Sequence, residues 1–119
     1  MTPEIRIEAT RNANFIKALS YVAEAFPDDY SLVAAIFLDP TYSFTHGLDG
    51  EYYVTANVIH IRNHRASAGD FVNLLVHELT HARQHICGPL PATKWEREGQ
   101  AIRVGWEAHE KYIKSCGGD

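Results

Sequence analysis

The sequence predicts one α+β domain spanning residues 1–119, and three observations carry that expectation. Two capped helical periods fill the second half, a third lies near the N-terminus, and short β-branched runs broken by turn residues lie between them. A chain of this length has room for one core, burying about two-thirds of the surface that its unfolded form exposes.

Phe15, Ile16, Leu19, Val22 and Phe26 recur at spacings of three and four, which predicts a helix within Ile5 to Phe26, stopped by Pro27. Ser31 to Leu38 is short, apolar and partly β-branched, and Asp39-Pro40 follows as a turn, so it reads as a buried strand. Tyr42 to Thr45, Glu51 to Thr55 and Val58 to Arg62 read as further strands of a small, mostly antiparallel sheet. Ser67, with Asp70 three residues on, opens a helix through Phe71, Leu74, Leu75, Leu79 and Ile86, which Gly88-Pro89-Leu90-Pro91 ends. Thr93 with Glu96 opens another, running to about Lys114, on which Trp95, Ile102, Trp106 and Ile113 share one apolar face expected to pack inward.

Composition excludes several classes of function. The longest apolar run, Leu32 to Leu38, is seven residues, against the roughly 18 to 20 that span a bilayer. Glu4, Arg6, Glu8 and Arg11 interrupt any secretory h-region, so no membrane partner and a cytoplasmic location are expected. A net charge of −4 with scattered basic residues lacks a nucleic-acid footprint. Cys87 and Cys116 are too few for a disulfide scaffold and lack CxxC spacing, so free thiols are expected.

The chemistry concentrates in His77-Glu78-Leu79-Thr80-His81, an HExxH motif inside the best-defined helix. Two histidines four apart lie about 40° apart around a helix and one turn apart along it, so both imidazoles can reach one zinc ion. Glu78 lies about 100° round from His77, too far to be a natural third ligand and well placed to act as general base. The apolar arc of Phe71, Leu74, Leu75, Val76, Leu79 and Ile86 ends beside Glu78, where desolvation would raise a carboxyl pKa. With seven His and nine Glu, chance would place an HExxH in roughly three of a hundred such chains. The capped helix, the apolar arc on the correct side and the acidic helix downstream favour a metal site.

A catalytic zinc takes three protein ligands and keeps one open position. His85 is about 12 Å along the axis from His77, out of reach for the same ion on a straight helix. Gln84 and Cys87 stand where an HExxHxxGxxH pattern would place Gly and His. For the third ligand the downstream helix offers Glu96, Glu98, Glu107 and Glu110. Glu96 is preferred there, one turn before Gln100, whose amide could support a bound imidazole, with Gly99 allowing close approach of the two helices. If Glu96 only closes the Thr93 capping box, Glu98 is the ligand.

These residues resemble the gluzincin metallopeptidases, in which HExxH is followed by a glutamate ligand on a later helix. That context here reads Glu96-Arg97-Glu98-Gly99-Gln100, with Gly99 and Gln100 where the family carries Ala and an Asp or Asn. In length and element order the chain is similar to the single-domain minigluzincins over residues 5–114, and in motif over 77–100. The resemblance implies a zincin-like fold, a Zn2+ ion held by His77, His81 and Glu96, and peptide hydrolysis, most simply as an endopeptidase, with Glu78 as general base and then acid. It further implies that a strand beside the HExxH helix, here Val58 to Arg62, receives the backbone of a peptide or protein substrate. His109, Tyr112, Tyr53 and Arg103 are weighed as oxyanion donors and set aside as core or surface side chains, and His46, His60 and His64 as surface or loop residues. The alternative is a catalytically silent or latent zincin-like module that binds a partner peptide or protein. The open position of a two-His, one-Glu site and the presence of Glu78 favour catalysis.

Overall fold

The computed structural model describes residues 2–7, 12–39 and 49–116. Chain order is β1 (Glu4–Ile7), α1 (Ala13–Ala25), α2 (Pro27–Tyr30), β2 (Ala35–Asp39), β3 (Gly50–Tyr53), β4 (Val58–Arg62), α3 (Ala68–Ile86) and α4 (Lys94–Cys116). The expectation of an α+β chain holds, with four helices and one four-stranded sheet among the described residues.

The sheet departs from a mostly antiparallel arrangement. Its order is β1-β2-β4-β3; β1 and β2 are parallel, β2 and β4 are parallel, and only β3 runs antiparallel to β4. One of the two parallel pairs arises at the N-terminus, where Glu4-Ile5-Arg6-Ile7 alternates with period two and forms β1 in place of the start of a helix. The helical period begins only at α1, capped by the Asn12 side chain, which accepts from the Phe15 N–H at 3.1 Å. A helix between two neighbouring strands returns the chain parallel. The first helix ends at Ala25, just before Pro27 as expected, and Pro27 also opens the short α2. The strand expected over Tyr42 to Thr45, and His46, lie outside the described residues.

Ile36, Leu38, Ile59 and Ile61 alternate inward along β2 and β4, fully buried against Phe15, Val22, Phe71, Val72 and Leu75 of α1 and α3. The opposite face of the sheet is more polar. There Arg6, Phe37, His60 and Glu51 stand in register across four strands, and Phe37 stacks on His60 at 4.5 Å. His60 is thus a strand residue, with Nδ1 2.6 Å from Asp39 Oδ2.

The helix limits expected for α3 hold, with the Ser67 hydroxyl accepting from the Asp70 N–H at 3.0 Å. For α4 the buried face is not the expected one. Ala101, Gly105, Ala108 and Tyr112 face the core, whereas Trp95, Ile102 and Trp106 are 87%, 49% and 57% exposed. Gly105, and not Gly99, is the point of close approach. A Cβ at Gly105 would lie 3.0 Å from the Asn73 backbone oxygen on α3, while one at Gly99 would meet nothing within 4 Å. Cys87 and Cys116 are free and exposed. No helix among the described residues is long and apolar enough to cross a membrane.

Candidate metal centre

Three side chains from two helices converge on one point. One ligand atom each from His77, His81 and Glu98 lies within 4.8 Å of the other two. Glu98 Oε1 is 3.3 Å from His77 Nε2, and Glu98 Oε2 is 3.0 Å from His81 Nε2. The i, i+4 spacing on α3 sets the two imidazoles one turn apart and edge to face, with ring centroids separated by 5.1 Å.

The expectation of Glu96 as third ligand is corrected by its placement. Glu96 sits exposed in the first turn of α4 and closes the capping box: its N–H donates to Thr93 Oγ1 at 3.1 Å, and its carboxylate accepts from that hydroxyl at 2.9 Å. Two residues are about 200° of helix, so Glu96 and Glu98 point to nearly opposite sides. Glu98 lies one turn before Ala101 on the small-residue face that packs against α3, and that face brings a short carboxylate up to the histidines.

His81 is oriented from behind. Its Nδ1 is 3.0 Å from Gln84 Oε1, and the Gln84 amide nitrogen donates to the Arg97 carbonyl at 3.1 Å and to Gln100 Oε1 at 2.8 Å. These two acceptors fix which way the amide points, so Nδ1 carries the proton and Nε2 presents its lone pair to the centre. Gln100, expected to hold an imidazole directly, acts one step further back through Gln84. Burial and the neighbouring His81 lower the His77 pKa, against the opposing pull of Glu98, and this favours the neutral form that ligates metals.

Glu78 is 6% exposed, with Oε2 4.0 Å from His77 Nε2. Burial first, then the negative charges of Glu98 and Glu51, push its carboxyl up to about 8, although an N–H donated by Tyr52 works the other way. The desolvation expected from the helical arc is thus present. The wall that desolvates it is Gly50 on β3, whose absent side chain leaves room for the Glu78 carboxyl.

The residues open on a cleft of about 560 Å3 bounded by β3, α3 and the first turns of α4. His85, Lys94 and Arg97 also line it, and sequence spacing did not single them out for this role. The four side chains weighed as oxyanion donors lie elsewhere. Tyr112 packs on Tyr21, His109 stacks on Trp106, Tyr53 meets His60 edge-on, and Arg103 is exposed. A larger hollow of about 880 Å3, lined by Asn12, Asn63, His64 and Asp70 among others, does not include the cluster. Val58 to Arg62 is an interior strand paired on both sides, so it cannot receive a peptide; among the described residues β3 is the last strand of the sheet and lies beside the cleft.

The three residues could hold a metal ion, offering two imidazoles and one carboxylate, and the Gln84 side chain behind His81 fixes that ring's orientation. No family model, curated protein or solved structure matches the chain, so the reading of this centre rests on its own residues.

Proposed function

We propose that the chain is a zinc-dependent peptidase of zincin-like architecture, with His77, His81 and Glu98 as ligands and Glu78 as general base. The convergence of those three ligand atoms beside a buried, high-pKa carboxyl supports this most directly. A purely structural site does not need such a carboxyl. The antiparallel strand β3 beside the HExxH helix, the last of the sheet among the described residues, supports the zincin-like reading.

On this reading, a zinc ion held by His77, His81 and Glu98 would supply Lewis-acid chemistry toward the scissile carbonyl and the attacking water. An extended substrate backbone would lie across the cleft alongside β3. Glu78 accepts a proton from the attacking water and passes it to the leaving amide nitrogen. A carboxyl whose pKa lies near neutrality is suited to both transfers. His85, Lys94 and Arg97 are donors lining the cleft that could meet developing negative charge on the carbonyl oxygen.

The test pairs metal content with cleavage of unfolded casein, in wild type, Glu98→Ala, Glu96→Ala and Glu78→Gln. One zinc per chain in wild type and Glu96→Ala, little in Glu98→Ala, and casein cleavage lost in Glu78→Gln with its zinc retained are the expected results. Zinc-loaded wild type no more active than Glu78→Gln would reject catalysis and favour a silent peptide-binding module. Absence of zinc uptake by wild type would reject both.

A further inference from the structure

We propose that a second copy of this chain docks antiparallel along the exposed stripe of α4. Trp95, Ile102, Trp106 and Ile113 lie within about 20° of one line down the helix and extend for about 27 Å at the helical rise. The first three are largely open to solvent, and Ile113 is partly buried. The stripe is about 110° round the helix from Ala101, Gly105, Ala108 and Tyr112, to the side of the α3 contact; Ile113 packs at the rim of the core and Ile102 and Trp106 border a hollow with Asn73 and Leu74 of α3, while Trp95 and much of Ile102 and Trp106 stay open to solvent. An apolar row of this length with two tryptophans is the composition of an interface centre.

Its spacing and charges select the occupant. Read antiparallel about residue 104, the stripe is its own complement: Trp95 meets Ile113 of the second copy and Ile102 meets Trp106, as a two-fold axis requires. The flank beside it, on the side away from the cleft, carries Glu96, Arg103, Glu107 and Lys114, all exposed. The same axis, within one residue, brings Arg103 to Glu107 and Glu96 to Lys114, each twice. A parallel two-fold pairing would turn this charged flank toward the opposite flank of the second copy, where Ala101, Gly105 and Ala108 lie, and would leave the four charges without partners. Among the described residues, Arg103, Glu107 and Lys114 have no ion-pair or hydrogen-bond partner within the chain, so they are available across such an interface.

Ile102 also lines the metal cleft, so this interface runs along one rim of the candidate centre. The proposal does not depend on catalysis, and its test reads only association.

Sedimentation equilibrium across a concentration series, in the presence and absence of zinc, decides it. Wild type is expected to dimerise with a Kd on the order of 10 µM, as suits a small interface. Trp106→Glu, on an exposed residue whose change leaves the core intact, should weaken association at least tenfold. Arg103→Glu should weaken it several-fold, and adding Glu107→Arg to Arg103→Glu should restore it. A monomeric wild type at about fifty times that concentration, or a dimer indifferent to Trp106→Glu, overturns the proposal. A double variant no tighter than Arg103→Glu overturns the antiparallel register.

Discussion

Gly50 on β3 and Glu78 on α3 are fitted to each other: a Cβ at position 50 would lie 3.5 Å from both Cγ and Oε2 of Glu78. The same Cβ would stand 2.9 Å from Ile61 Cδ1, the movable end of a core side chain. Alanine at this position is therefore tolerable after a small shift of Ile61, but a branched side chain must displace the carboxyl. Gly50→Val is expected to retain bound zinc and to lower kcat for a peptide substrate by about tenfold or more, since small misplacements of a general base are costly. Parallel zinc assay and steady-state kinetics check this, and a Gly50→Val enzyme with wild-type kcat would mean that the carboxyl is not held by this wall.

Gln84 connects the histidines to α4. Its Oε1 faces His81 Nδ1, while its nitrogen is held by the Arg97 carbonyl and the Gln100 side chain. Gln84→Leu keeps the bulk and removes all three interactions. We expect zinc affinity to fall by about 10- to 100-fold, the usual cost of losing a partner behind a ligating imidazole. Competition with a chromophoric chelator measures it. Gln100→Leu removes only the outer link and should cost less.

Much of this site was legible in the sequence, and the part that was not has a physical cause. HExxH on a capped helix is a local pattern, and α3 with its Ser67 cap and two inward histidines follows from periodicity alone. The third ligand depends on which face of α4 meets α3, a tertiary fact. Large apolar residues at Trp95, Ile102, Trp106 and Ile113 suggest one buried face, yet a short glutamate reaches two imidazoles only if the helices nearly touch, which requires small residues. Ala101, Gly105 and Ala108 are those residues, and Glu98 continues their spacing one turn earlier. Similarly, the parallel pairing of β1 rests on a four-residue alternation that is too short to outweigh the longer helical signal beside it.

Two glycines on α4 should therefore behave oppositely. Gly105 packs against Asn73, where an added methyl would press on backbone as well as side chain. Gly105→Ala is expected to destabilise the fold by about 1–3 kcal/mol through overpacking and, by parting the helices at Glu98, to weaken zinc binding. At Gly99 nothing stands in the way. There Gly→Ala should stabilise by about 0.5–1 kcal/mol through helix propensity and leave zinc binding unchanged. Urea denaturation with chelator present gives the stabilities; equal effects at the two positions would refute the assignment of Gly105 as the contact.

The burial of Glu78 also predicts a pH dependence of stability in the metal-free protein. Its carboxyl titrates near 4.5 in the unfolded chain and near 8 in the folded one. Below pH 4.5 both states hold the proton and the group has no effect on the pH slope. Between the two values the unfolded state has released the proton that the native state retains, so stability falls as pH rises, by up to a few kcal/mol in all. Above about pH 8 the loss is complete. Glu78→Gln removes this titration, so in chelator the variant should match wild type near pH 4.5 and exceed it progressively toward pH 8, read as a widening gap in urea midpoints. A divalent ion beside the carboxyl favours its ionised form, and saturating zinc should narrow that gap. Parallel wild-type and variant curves in chelator would show that the carboxyl is hydrated and not held in the apolar wall between Gly50 and Ile61.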